Sequence, residues 1–150
     1  MESSQAVSLA DSLLAEHELV DWRFKFDHAI ARCGSCQFRN KQISLSRHFV
    51  ELNDRDEVTN VLLHEIAHAL AGPGIGHGKK WQVIAQQIGA RPETSAPEII
   101  AMPVPKWALV CRGCQAVVAR RHRRALNLAR VRCRSCGVDE GVLRWQQGGV

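Results

Sequence analysis

The chain has 150 residues, of which 45% are apolar, as is ordinary for a globular protein with one modest core and a small appended module. Its apolar runs are far shorter than the roughly 18 residues of a membrane-spanning helix, and its first residues lack the basic-then-apolar order of a secretion signal, so we expect a cytoplasmic protein without a membrane partner. The net charge of +5 is uneven, because residues 1–105 hold ten Lys or Arg against thirteen Asp or Glu, whereas residues 106–150 hold ten against two.

The first fifty residues predict a helix, two strands and a second helix. Residues 22–26 alternate between apolar and polar side chains, which predicts a half-buried strand, and residues 42–46 predict a second strand. Residues 47–52 predict a short helix. Residues 8–20 have apolar side chains at helical spacing, and the buried face of this first helix is predicted to contain Leu9, Leu13, Leu14 and Leu19.

A longer helix is predicted from about residue 55 to residue 71, with an apolar stripe formed by Val58, Val61, Leu62, Ile66, Ala67 and Leu70. Asp54 and Glu57 are spaced like a capping box at its start. Gly72-Pro73-Gly74 is expected to end it, because proline lacks the amide donor and glycine accepts helix-ending backbone angles. A second amphipathic helix is predicted from about Gly78, with a buried face of Trp81, Val83, Ile84 and Ile88.

The motif that says most about function lies on the longer helix. His64 and His68 are four residues apart and project from one face, so both imidazoles can bind one ion, for which zinc is the expected metal. Glu65 follows the first ligand, where its carboxylate can take a proton from water at the metal. His77 can return beyond the turn as a third ligand, which leaves one zinc position open, as in catalytic sites. For the motif from His64 to His68, the alternative is a chance match on a core helix whose histidines are satisfied by other partners. For His77, the alternative is an exposed histidine at the start of a helix.

The last third of the chain predicts a separate small domain. Residues 91–106 are rich in proline and predict a partly extended connector between a domain of residues 1–90 and one of residues 107–150. The second domain carries two Cys-x-x-Cys pairs separated by eighteen residues, which is typical of a zinc ribbon. Four thiolates close the shell of a structural zinc, which would hold together a segment too short for its own apolar core. Free buried cysteines or a redox pair are the alternative for Cys111, Cys114, Cys133 and Cys136.

These elements and their order resemble the SprT-like zinc metalloprotease family over roughly residues 8–145, including the C-terminal ribbon. The resemblance implies an α+β fold, with a small zincin-like domain of helices packed on a short sheet followed by a β-rich ribbon. It also implies a zinc-dependent metalloendopeptidase, and one animal member of the family digests proteins crosslinked to DNA. The matching residues are Trp22, Arg32-Cys33-Gly34-Ser35-Cys36, Phe38-Arg39, Ile43-Ser44-Leu45-Ser46 and the run from His64 to Trp81.

Two features of the protease domain stay open on the sequence alone. The oxyanion formed during peptide hydrolysis usually needs a donor besides zinc, and because the chain contains no tyrosine, Arg47 and His48 are the weak candidates just before the catalytic helix. Cys33 and Cys36 form a third Cys-x-x-Cys pair with no partner pair, so we interpret them as buried packing groups, in agreement with the family resemblance. A third zinc or a redox role is the alternative.

The basic residues of the ribbon suggest a nucleic-acid partner. They favour contacts with phosphates, and we expect DNA, single-stranded or damaged, besides the protein substrate, with association to the nucleoid. A solvated basic face that only aids solubility is the alternative. A different class of function is a nucleic-acid-binding zinc-ribbon adaptor whose protease domain is silent or conditionally active. The candidate DNA-binding residues are Arg120, Arg121, Arg123, Arg124, Arg130 and Arg132.

Overall fold

A computed structural model describes residues 1–92 and 100–148 and divides the chain into two compact units, Met1–Pro103 and Val104–Val150. Of the predicted connector at 91–106, residues 93–99 lie outside the described residues. Within the part that is described, no helix is both long enough and apolar enough to cross a membrane.

The first unit is an α+β domain, as the family resemblance implies. Its elements in chain order are α1 (Ser3–Glu16), β1 (Arg23–Asp27), β2 (Gly34–Gln37), a 3-10 turn (Phe38–Asn40), β3 (Gln42–Ser46), α2 (Arg47–Leu52), α3 (Arg55–Ala71) and α4 (Lys79–Gln87).

A three-stranded sheet and helix α3 form the centre of this unit. The strand order is β1-β3-β2, with β3 parallel to β1 and antiparallel to β2. Every residue of β3 is buried, and Ile43 and Leu45 belong to one apolar cluster with Leu62 and Ile66 of α3. Because β2 is an edge strand that lies beside α3, it borders the histidine motif.

The helix and strand predictions hold best in the middle of this unit. The predicted strand at 42–46 and the helices at 47–52 and 55–71 have the observed bounds. The prediction of a first helix at 8–20 is wrong at both ends, because α1 begins at Ser3 and ends at Glu16. Glu18 has a left-handed φ of 58°, and the Leu19 amide bonds back to the Leu14 carbonyl, which closes the helix before Val20.

Two further details of the helices differ from the predictions. Val83 is 52% exposed, because it lies 200° around α4 from Trp81 at 100° per residue, whereas Ala85 is buried one turn beyond Trp81. At the start of α3, the Asp54 side chain accepts from the Glu57 amide at 3.0 Å, which is one half of the predicted capping box. The Glu57 carboxylate pairs with Arg91 instead.

The described residues that follow position 99 belong in part to the first unit. Ile100 and Met102 pack against its apolar cluster. The Asn53 side chain bonds both backbone groups of Ala101, since its amide nitrogen donates to the carbonyl at 2.8 Å and its oxygen accepts from the amide at 2.9 Å.

The second unit is a β-rich ribbon. Its sheet has the antiparallel order β5-β4-β6, in which β4 is Trp107–Cys111, β5 is Val117–Arg121 and β6 is Leu143–Gln147. A 3-10 turn at Leu128–Arg130 and the short helix α5 (Gly137–Glu140) complete it. Its buried apolar cluster consists of Leu109, Cys111, Cys133 and Leu143.

Candidate active site

The three predicted histidine ligands converge on one point. The Nε2 atom of His77 lies 3.0 Å from the Nε2 atom of His68 and 3.0 Å from that of His64. His64 and His68 come from successive turns of α3, and all three side chains are half-buried. The sequence prediction of a three-histidine cluster is thus matched by the observed geometry.

A glycine-rich turn brings His77 back to α3. Gly72 and Gly74 have φ values of 98° and 78°, which residues with a Cβ rarely adopt, so the chain can reverse sharply after α3. Gly78 is the N-cap residue of α4, and the Gln82 side chain donates to the His77 carbonyl at 3.2 Å. This turn fixes the third imidazole across a gap of eight residues from the second.

The Trp81 ring packs against all three imidazoles. It is fully buried, and its ring centroid lies 4.7 Å from that of His64, 5.3 Å from that of His68 and 4.6 Å from that of His77. Its indole nitrogen also donates to the His64 carbonyl at 3.4 Å. The sequence predicted Trp81 only as a core residue. Its position four residues after His77 could have indicated that its ring lies next to that histidine.

The donor set fits a zinc ion. Burial, followed by the charges of His68 and His77, lowers the pKa of His64 to about 4, and burial also lowers the pKa of His68. Both rings are therefore neutral at pH 7, which is the form that binds metal. Two nitrogens at about 2.05 Å from one tetrahedral zinc are about 3.3 Å apart, close to the observed 3.0 Å.

Glu65 lies beside this cluster and is 8% exposed. Burial raises its pKa from the usual 4.5 to about 7, and the positive charge of Arg32 partly opposes that effect. The Arg32 guanidinium is 46% exposed and lies 2.8 Å from the Asp27 carboxylate. A carboxyl group with a pKa near 7 can accept a proton and return it at neutral pH.

The structure also bears on the second donor that peptide hydrolysis usually needs. Arg47 has other partners, since its guanidinium lies 4.6 Å from the centre of the Phe26 ring and donates to Ser3 Oγ at 3.0 Å. The His48 ring lies beside His28, with centroids 6.3 Å apart. The sequence analysis named Arg32 only as part of the family match, and the structure shows that its charge acts on Glu65.

The pair of Cys33 and Cys36 is half-buried near Glu65. Burial and the charge of Glu65 raise the pKa of both thiols, that of Cys36 to about 12. Cys33 Sγ lies 3.8 Å from Met102 Sδ. A redox cysteine needs a lowered pKa, so the direction of these shifts favours the packing interpretation.

The four ribbon cysteines form the second metal-binding cluster of the described residues. Their sulfurs all lie within 4.8 Å of one another, and Cys114 Sγ is 3.8 Å from Cys133 Sγ. Four sulfurs at about 2.3 Å from a tetrahedral zinc are about 3.8 Å apart, so the cluster fits a structural zinc. Hydrogen bonds from the amides of Cys136 and Ser135 lower the thiol pKa of Cys133, which favours the thiolate at this position, whereas the neighbouring thiols raise the pKa of Cys136.

The six candidate arginines are exposed but differ in their surroundings. Arg120 and Arg121 belong to strand β5. The Arg124 guanidinium lies 4.4 Å from the centre of the Trp107 ring. Arg132 donates to four backbone carbonyl oxygens, those of Leu128, Ala129, Val131 and Val138. Arg132 therefore stabilises the ribbon itself.

Comparisons with known proteins agree with this architecture. No curated protein matches the chain. The crystal structure of the metallopeptidase zymogen jannalysin of Methanocaldococcus jannaschii is similar in fold, with a TM-score of 0.50 and 19% sequence identity over 59% of this chain and 85% of that one. The model of the SprT-like family matches residues 5–100, which is more than half of the chain and includes the three histidines and Glu65. The chain therefore belongs to the SprT-like family.

Proposed function

We propose that the chain is a zinc-dependent metalloendopeptidase acting on DNA-associated or DNA-crosslinked proteins. The observation that carries the proposal is the meeting of three imidazole nitrogens within 4.8 Å of one another beside a buried glutamate. A binding module has no need for a base next to an open metal position, whereas hydrolysis requires both.

Each residue of the site has a distinct role in peptide hydrolysis. A zinc ion held by His64, His68 and His77 would supply the Lewis acidity that activates water and polarises the peptide carbonyl. Glu65 accepts the proton of the attacking water and passes it to the departing amine. Trp81 supports the three rings through a contact with each of them.

The proposed link to DNA is supported by the charge of the ribbon. Residues 106–150 hold ten Lys or Arg against two Asp or Glu, a net charge of +8, and the candidate arginines are exposed. Such a surface is attracted to phosphates, and the attraction raises the local concentration of DNA-bound protein substrates. We accordingly propose a cytoplasmic protein that associates with the nucleoid.

The test compares wild type with Glu65→Gln at matched zinc content. The substrate is a DNA-binding protein, and cleavage is followed with and without single-stranded DNA. We expect cleavage by wild type alone, because glutamine keeps the shape of the side chain but cannot accept a proton, and we expect DNA to accelerate it. Equal cleavage by both proteins would contradict the role of Glu65.

The other outcomes of this experiment separate the remaining functions. Cleavage that is indifferent to DNA would leave the peptidase and reduce the ribbon to a structural or solubility role. DNA binding without cleavage by either protein would favour the adaptor function, in which the basic ribbon acts and the histidine site is silent.

A further inference from the structure

The carboxylate of Glu65 lies against the backbone of strand β2 at Gly34. A methyl group on Gly34 would lie 2.9 Å from Glu65 Oε1 and 3.0 Å from Glu65 Cγ, and Leu45 Cδ2 would also be at 3.0 Å. Ordinary contacts begin at 3.4 Å, so an alanine would push Glu65 away by about half an ångström or more.

Backbone conformation does not explain the glycine at this position. Gly34 pairs with Leu45 in the regular antiparallel ladder of β2 and β3, and its φ is not positive, unlike that of Gly72. A glycine inside a strand weakens the strand and often marks the close approach of another group. Here the approaching group is the side chain of Glu65.

Both neighbours of Gly34 are buried side chains. Leu45 is fully buried in the apolar cluster, and Glu65 is 8% exposed. Glu65 is also tied to its neighbour His64 by the helix backbone, so a displaced carboxylate would move relative to the three imidazoles. The backbone of β2 at Gly34 therefore bounds one side of the Glu65 carboxylate.

We propose that Gly34 is a positioning residue, whose lack of a side chain lets strand β2 hold the Glu65 carboxylate in place beside the three histidines. The consequence for catalysis rests on the proposed peptidase function, whereas the contact itself does not. Two experiments on the full chain with zinc bound therefore test the contact and its consequence separately.

The first experiment measures the contact without any activity assay. Gly34→Ala is made in wild type, in Glu65→Ala and in Leu45→Val, and stability is read from hydrogen exchange of the α3 amides. We expect at least a tenfold fall in the folding equilibrium constant in wild type, largely relieved by Glu65→Ala, because that change removes both Cγ and Oε1. Relief by Leu45→Val but not by Glu65→Ala would make Gly34 a simple core residue and overturn the proposal.

The first experiment still tests the contact if Gly34→Ala fails to fold. If Gly34→Ala alone does not fold, the pair Gly34→Ala/Glu65→Ala is expected to fold, because the contacts of the methyl group with Glu65 Oε1 and Cγ are gone and only that with Leu45 Cδ2 remains. Failure of both would contradict the proposal, since it would show that the methyl group is rejected by something other than Glu65.

The second experiment measures the consequence for cleavage. In Gly34→Ala with zinc content equal to that of wild type, we expect kcat to fall about 10- to 100-fold and KM to stay within about twofold, because the base is displaced while substrate binding is retained. Gln37→Ala, on the other face of β2, is the matched control and should keep wild-type kcat. An unchanged kcat in Gly34→Ala would overturn the proposal; absence of cleavage by wild type would instead refute the proposed function, with the stability comparison still valid.

Discussion

The two units hold their metal-binding residues in opposite ways. Among the described residues of Met1–Pro103, three histidines lie on a cluster of eighteen buried apolar residues, so the fold positions the candidate ligands. In the described part of Val104–Val150, the buried cluster has four residues, and two of them are the candidate ligands Cys111 and Cys133. In the ribbon, two candidate ligands belong to the buried core itself. In the first unit, the histidines lie outside the buried core and pack on it. This difference predicts which unit can do without its metal.

The largest expected effect is the response of the two units to zinc removal. A structural zinc contributes about 10–16 kcal/mol to small zinc domains, more than four buried side chains supply, so a chelator should unfold the ribbon and leave the first unit folded. In amide NMR spectra of the full chain, the peaks of residues 104–148 should move to the chemical shifts of an unfolded chain. Cys111→Ser should have the same effect, and His64→Ala should leave both units folded. Retained dispersion of the ribbon peaks without zinc would contradict this contrast.

A second prediction concerns the core beneath the histidines. Trp81→Ala should destabilise the first unit by about 3–5 kcal/mol, because it empties the space of the largest fully buried side chain. It should also weaken zinc binding, since the three rings lose their common support. Urea unfolding and competition with a coloured zinc chelator measure the two effects. Val83→Ala, on the exposed side of the same helix, should change stability by no more than about 0.5 kcal/mol.

A third prediction uses the buried base. The pKa of Glu65 is about 7 in the folded chain and the usual value is 4.5, so between these values the native state holds a proton that the unfolded chain releases. The stabilisation by the neutral carboxyl is complete below pH 4.5 and is lost as the pH rises through 7.

In metal-free protein, Glu65→Gln should therefore become more stable relative to wild type as the pH rises, by up to about 3 kcal/mol. The pKa of His64, lowered to about 4, acts in the opposite direction between pH 4 and 6.5, but it is present in both proteins and should largely cancel in the difference. Urea unfolding from pH 4 to pH 8 checks the slope. A difference that does not change with pH would show that Glu65 stays ionised when buried.

What the sequence predicted well follows local physical rules. The bounds of α3 follow from the Asp54 cap and the glycine-rich turn, and the ligand pair follows from helical spacing alone. The start of α1 at Ser3 was not predictable from its apolar spacing, because the terminal amine bonds the Asn53 carbonyl at 2.6 Å, a contact between positions 52 residues apart. The fit of Glu65 against Gly34 and the charge of Arg32 on Glu65 also depend on the tertiary arrangement of β2 and α3.

The smallest expected effect concerns the charge contrast between the units, net −3 in residues 1–105 and +8 in residues 106–150. If the ribbon binds single-stranded DNA through phosphates, the logarithm of the affinity falls linearly with the logarithm of the salt concentration, with a slope of roughly −0.7 for each neutralised phosphate. Replacing Arg121, Arg123 and Arg124 by Ala should therefore make this slope less steep by about 2. Arg132→Ala should instead lower the stability of the ribbon, because that guanidinium already bonds four carbonyl oxygens. Fluorescence anisotropy with labelled DNA at several salt concentrations measures the slope. If the slope stays the same in the triple variant, the arginines of β5 and of the loop after it do not contact the DNA phosphates, and other residues bind the DNA.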